Sequence, residues 1–166
     1  MGTFKELNNW NIDFKDALSK YKVGDNTDKY EDIKNLKPVF AFDFINLDND
    51  KYSFCSELLG FKDYKKVLHG LKKLSSYSYQ TLNQEYMFHF HDIKWNEVDI
   101  LESDFNKCIY GKSDSKGDIT PYQFKIYEEA RIIGFIYRGV FYLVLFDRGH
   151  NAYKRQGKGK GRKKKK

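Results

Sequence analysis

Residues 130–147 read ARIIGFIYRGVFYLVLFD. Two apolar runs, rich in β-branched and aromatic residues, flank Arg138-Gly139. Such runs favour strands. A glycine at the second loop position supplies the positive φ that a two-residue hairpin turn needs. With that turn, Tyr137 faces Val140, Phe135 faces Tyr142 and Arg131 faces Phe146. Side chains alternate, so Arg131, Ile133 and Phe135 share a face with Tyr142, Val144 and Phe146, while Leu143 and Leu145 take the other. Arg148 continues the face of Arg131 and is expected diagonally from it, about 7–8 Å away.

Upstream, Phe14, Leu18 and Tyr21 recur at helical spacing over 13–21. Residues 22–37 read as loop with a short helix near 28–35, and VFAFDFINL after Pro38 reads as a strand with Phe40, Phe42 and Phe44 on one face. The clearest helix covers 61–74. Phe61, Tyr64, Val67, Leu68, Leu71 and Leu74 form its apolar stripe, and lysines fill the opposite face. A second helical piece is expected near 78–86. MFHFHDIKWNEVDIL (87–101) has strand-like alternation, and Pro121 opens a short helix toward Glu129. Helices precede strands, which predicts an α+β fold: an antiparallel sheet whose C-terminal hairpin, about 131–147, packs against N-terminal helices. One domain over 1–153 is expected.

The hairpin gathers chemistry at its open end. Arg131 and Arg148 can hold a phosphate and stabilise the charge that develops on it. His150 titrates near neutrality and can move a proton. Tyr153 can stack on a base or donate a hydrogen bond. These four residues form the candidate catalytic set of a metal-free RNA-cleaving site; the alternative is a strand end with solvated charges, Asp147 paired with an arginine and Tyr153 packed on the core. The pair His89 and His91 falls short of the three or four ligands that zinc requires. Asp99, Glu102 and Asp104 read as a solvated acidic strand end. No metal or cofactor is expected.

The net charge is +7, from 30 basic and 23 acidic residues. Nine of the basic residues lie in KRQGKGKGRKKKK (154–166), so residues 1–153 carry 21 against 23, a net of −2. The body is slightly acidic and the tail alone makes the chain basic. With nothing apolar to bury, the tail is expected to be disordered. Lys154, Arg155, Lys158, Lys160, Arg162, Lys163 and Lys164 are then candidate nucleic-acid contacts, acting by counterion release without reading sequence. No apolar run approaches the ~20 residues of a membrane span, no lipidation signal is present, and Cys55 and Cys108 are too few for a disulfide framework. A cytoplasmic protein without a membrane partner is expected.

The stretch ARIIGFIYRGVFYLVLFDRGHNAYKR (130–155) resembles the C-terminal hairpin of the RelE/ParE superfamily of bacterial toxins. There an arginine opens one strand, a hydrophobic strand follows, and a basic segment with a tyrosine or histidine ends the chain. More broadly, PVFAFDF, FHFHDIKW and the hairpin are similar to small toxin-like bacterial and phage proteins that begin with an "FSF" strand and end in "FxVVWLDxxHxLY". The resemblance implies ribosome-dependent mRNA cleavage by 2′-OH attack, RNA or the ribosome as partner, and a cognate antitoxin. It matches Arg131 to the strand-opening arginine, Arg148 to the arginine after the last strand, His150 to the histidine and Tyr153 to the terminal tyrosine. Lys94 is the candidate for a basic position on the preceding strand. The competing expectation is a non-catalytic phage or mobile-element protein that docks on nucleic acid or a ribonucleoprotein through its tail, or inhibits a host enzyme.

Overall fold

The computed structural model describes residues 30–47, 51–55, 59–111 and 119–154. The helix expected over 13–21 lies outside them. So do Arg155, Lys158, Lys160, Arg162, Lys163 and Lys164. In chain order the elements are α1 (Tyr30–Ile33), β1 (Val39–Ala41), α2 (Phe61–Leu74), α3 (Tyr79–Gln84), β2 (His91–Asp92), α4 (Glu102–Tyr110), β3 (Pro121–Tyr127), β4 (Ala130–Tyr137) and β5 (Val140–Asp147). Single 3₁₀ turns occupy Tyr86–Phe88 and Trp95–Glu97. The five strands form one sheet in the order β1-β5-β4-β3-β2. The fold is α+β. All neighbours are antiparallel except β1, which runs parallel to β5.

The β4–β5 hairpin turns at Arg138-Gly139, both with positive φ (52° and 77°), as a tight twisted turn requires. Tyr137 pairs with Val140 and Phe135 with Tyr142, as expected. Beyond Gly134–Leu143 the register slips by one: Ile133 pairs with Leu145, Ile132 with Phe146 and Arg131 with Asp147. Val144 is the extra residue of a β-bulge. Its carbonyl accepts the Asn46 N–H at 2.7 Å. Gly134 sits at the slip, where an added Cβ would fall on the Tyr142 carbonyl oxygen and against the Phe141 ring.

The bulge re-sorts the faces. Val144 and Leu145 both pack on the second face of the sheet, while Phe146 joins Phe141 and Leu143 on the first. The expected grouping of Leu143 with Leu145, and of Phe146 with Arg131, is therefore corrected. The first face is covered by α2 and α3 through Val67, Leu71, Leu74, Tyr79 and Leu82. The second is covered by α4 and the 93–100 segment through Ile93, Val98, Ile100, Phe105 and Ile109. The apolar stripe of α2 is narrower than expected, since Phe61 and Leu68 are exposed.

Three further expectations change. Residues 121–127 are strand, not helix: Phe124 and Ile126 enter the first core while Gln123 and Lys125 face the other way. An apolar central strand such as β4 needs ladder partners on both sides, and the Tyr/Phe/Ile content of 121–127 suits a pleated surface. The strand expected over VFAFDFINL (39–47) stops at Ala41. The chain then turns, with Ile45 N–H bonding the Phe42 carbonyl, and Phe44 packs on the second face against Phe135 and Tyr142. Residues 87–101 hold only the two-residue β2, and Glu102 and Asp104 open α4, where carboxylates complement the helix dipole. No helix among the described residues is long and apolar enough to cross a membrane.

Candidate active site at the open end of the hairpin

Arg131 lies at the start of β4 on the second face, with only 3% of its surface exposed. Its neighbours across the ladders are Lys125 on β3 and Asp147 on β5. A buried guanidinium normally has a carboxylate fork or several carbonyl acceptors. Arg131 has less. One Nη donates to the Ala130 carbonyl at 3.3 Å, the other stands 4.0 Å from the exposed Glu129 carboxylate, and Nε has no hydrogen-bond partner among the described residues. Burial lowers its pKa, opposed by the charges of Glu129 and Asp147.

Asp147 does not form a direct ion pair with it. Its two carboxylate oxygens accept the backbone N–H groups of Asn151 and Ala152, at 2.9 and 2.8 Å. These bonds fold residues 148–152 into a turn that carries His150 back over the site. His150 adopts a left-handed conformation, φ 53°, which costs a non-glycine residue about 1 kcal/mol or more. Its Nδ1 is buried and unpartnered among the described residues. Burial first, and then the Arg131 charge, push its pKa below that of a free histidine. Tyr153 pairs with Val98 in an isolated bridge, and its ring lies beside that of His150, centroids 5.1 Å apart and tilted by 47°. Its hydroxyl is also buried without a partner, and burial lifts its pKa to about 12.

The outer wall comes from β2 and β3. The His91 ring lies 6.4 Å from that of Tyr153. His91 Nδ1 contacts the Asp92 carbonyl at 2.7 Å, and Nε2 contacts the Gln123 side-chain nitrogen at 2.8 Å. An amide nitrogen can only donate, so in this arrangement His91 Nε2 accepts from Gln123 and Nδ1 donates to the Asp92 carbonyl. The Gln123 oxygen is left buried and unpartnered. His89, left-handed at φ 43°, caps the 86–88 turn, and its ring meets that of the exposed Tyr86 at 4.5 Å. Burial first, and then Arg131 and Lys125, lower its pKa. Its expected place beside His91 on one strand face is not what forms. Among the described residues no group of three or more His, Cys, Asp or Glu is arranged to hold a metal ion.

Arg131, His150 and Tyr153 are thus brought together. Arg148 is not. The bulge turns it to the first face, where its Nε donates to Asp63 of α2 at 3.2 Å, and its expected place beside Arg131 is corrected. Lys94 is exposed ahead of the 95–97 turn, and Lys154 is tied by its Nζ to the Asn96 carbonyl at 2.9 Å. Gln123 and Lys125 are site members that the sequence did not announce, and His91, singled out with His89, joins them without its partner. Reading 121–127 as a strand paired to β4 would have placed Lys125 opposite Arg131.

The chain matches no known family model, no curated protein and no solved structure.

Proposed function

We propose that the chain is a toxin-like endoribonuclease that cleaves RNA by 2′-OH attack on the adjacent phosphate, with Arg131, His150 and Tyr153 as its catalytic groups. One observation carries this: four buried polar atoms without partners among the described residues, Arg131 Nε, Gln123 Oε1, His150 Nδ1 and Tyr153 Oη, belong to one cluster. Buried polar groups are nearly always satisfied, and this set has the donors and acceptors that a ribose phosphate uses, though the covering residues must move aside to admit one. Arg131 supplies a cation and donors to the non-bridging oxygens, where charge grows in the transition state. Gln123 Oε1 is an acceptor for the ribose hydroxyl. His150, kept neutral near pH 7, takes the 2′-OH proton as O2′–P forms. Tyr153, protonated across the neutral range, donates to the departing 5′ oxygen as P–O5′ breaks. The products are a 2′,3′-cyclic phosphate and a 5′-hydroxyl. The resemblance of the hairpin to the RelE/ParE toxins supports the same chemistry and makes the ribosome the setting in which to look for it.

The test is cleavage of mRNA by the purified full chain, with and without ribosomes, in the presence of a chelator. Cyclic-phosphate ends are expected, reduced ~100- to 10,000-fold by His150→Ala. A parent protein that cuts no RNA in either setting, or a His150→Ala form as active as the parent, overturns the reading in favour of a non-catalytic binder.

A further inference from the structure

Although residues 1–153 are net acidic, α2 concentrates Lys62, Lys65, Lys66, Lys72 and Lys73 on one helix. Its carboxylate, Asp63, is engaged by the Gly60 N–H, the Tyr127 hydroxyl and Arg148. Lys62, Lys65, Lys66, His69 and Lys73 line a cavity of about 450 Å³ floored by Gly70, Ile126 and Tyr127. Gly70 makes the approach possible, because an added Cβ would press on the side chain and carbonyl of Ile126. A second cavity of about 150 Å³ shares Gly70, Lys73, Ile126 and Tyr127 with the first and extends to Lys125. Lys125 is the ladder partner of Arg131. Lys125 therefore stands between the α2 lysines and the buried arginine, with the Glu128 and Glu129 carboxylates beside Lys66 and Arg131.

We infer that this groove is a docking track for single-stranded RNA, holding the backbone on one side of the strand edge while the scissile phosphate lies at Arg131. The direction of the strand toward Arg131 rests on the proposed function; the groove itself does not. Lysines on a flexible stem meet phosphates without reading bases, and an apolar, aromatic floor accepts unstacked bases. A duplex offers no such bases. Lys66 is already paired with the Glu128 carboxylate and lies over the Tyr127 ring, whereas Lys73 lies over the Phe88 ring with no carboxylate partner among the described residues, so Lys62, Lys65 and Lys73 are the test positions.

Binding of an unstructured oligouridylate to the full chain is measured across a series of salt concentrations for the parent, a Lys62→Gln/Lys65→Gln/Lys73→Gln triple variant and the matching Lys→Arg triple. The tail is present in all three, so differences report the groove. The Gln triple should lose affinity on the order of 10-fold or more, and its log–log salt slope should become shallower by about 2. The Arg triple should keep both. Binding is read without turnover, so failure of the cleavage reading leaves this test intact, and failure here leaves cleavage at Arg131 intact. Equal affinity and slope in the parent and the Gln triple overturn the inference. So does tighter binding of a polyglutamate peptide that the oligouridylate cannot displace, which would make the groove a site for an acidic protein.

Discussion

Arg131 and Asp147 face each other across the β4–β5 ladder, both buried, yet the carboxylate spends its two oxygens on the backbone of Asn151 and Ala152 rather than on the guanidinium. The pair has opposite charges and separate tasks. Asp147 shapes the turn that carries His150, and Arg131 keeps donors for something else.

Removing the Arg131 charge should therefore not unfold the protein. Arg131→Met fills similar space and eliminates a desolvated, under-bonded cation, but it also takes away the charge beside the buried Asp147 carboxylate, so the two effects oppose and stability in urea should change by no more than about 2 kcal/mol. RNA cleavage should fall at least ~100-fold. A stability loss of several kcal/mol would instead make Arg131 a structural residue.

Asp147→Asn keeps the shape but replaces one acceptor oxygen with an NH₂ group that faces a buried N–H. The expected cost is about 1–3 kcal/mol, read by chemical denaturation. Cleavage should drop as well, since His150 rides on the turn. An unchanged denaturation midpoint would show that the 148–152 turn holds without the carboxylate.

Arg148 makes the useful contrast. It is exposed and, among the described residues, bound to Asp63 alone, so Arg148→Ala should cost at most about 1 kcal/mol. Its effect on cleavage should be under about 3-fold. Equal damage from Arg148→Ala and Arg131→Ala in a cleavage assay would return Arg148 to the site.

Protonation of His150 and His89 opposes folding. Both have folded pKa values below the free value of 6.5, so below that pH the unfolded chain binds more protons and stability declines. The decline continues down to the folded pKa values and then levels off. His150→Gln should flatten part of this limb in unfolding curves taken between pH 7 and 5. Tyr127 and Tyr153 act at the other extreme. Both are raised to about 12 from 10, so stability present below pH 10 is lost as pH rises from about 10 to 12.

The hairpin, its turn and helix α2 were legible because each depends on local pattern: Arg138-Gly139 between apolar runs, and Val67, Leu71 and Leu74 at helical spacing. What escaped depends on tertiary context. One inserted residue, Val144, reverses every side chain after it, and alternation alone could not announce it. Gly134 was the only written sign, a glycine inside a strand-forming run. The helix expected over 121–129 became β3 because β4 offered it a ladder, and with it Gln123 and Lys125 entered the site. Alternation places His89 on a strand, whereas its left-handed backbone ends a 3₁₀ turn.

The hairpin tip is pinned. Buried Tyr79 donates its hydroxyl to the Gly139 carbonyl, the Leu36 side chain abuts Gly139, and Arg138 lies over the Tyr137 ring. At the opposite end residues 151–154 are tied twice: Asn151 and Ala152 to the Asp147 carboxylate, and Ala152, Tyr153 and Lys154 to the 96–99 segment. The hairpin is therefore clasped at both ends, and neither is a free fraying point. Amide exchange should be slow near Phe141 and also at Asn151 and Ala152, whose N–H groups the carboxylate holds. Fast exchange confined to Asn151 and Ala152 would show that the clasp opens by itself, ahead of the sheet.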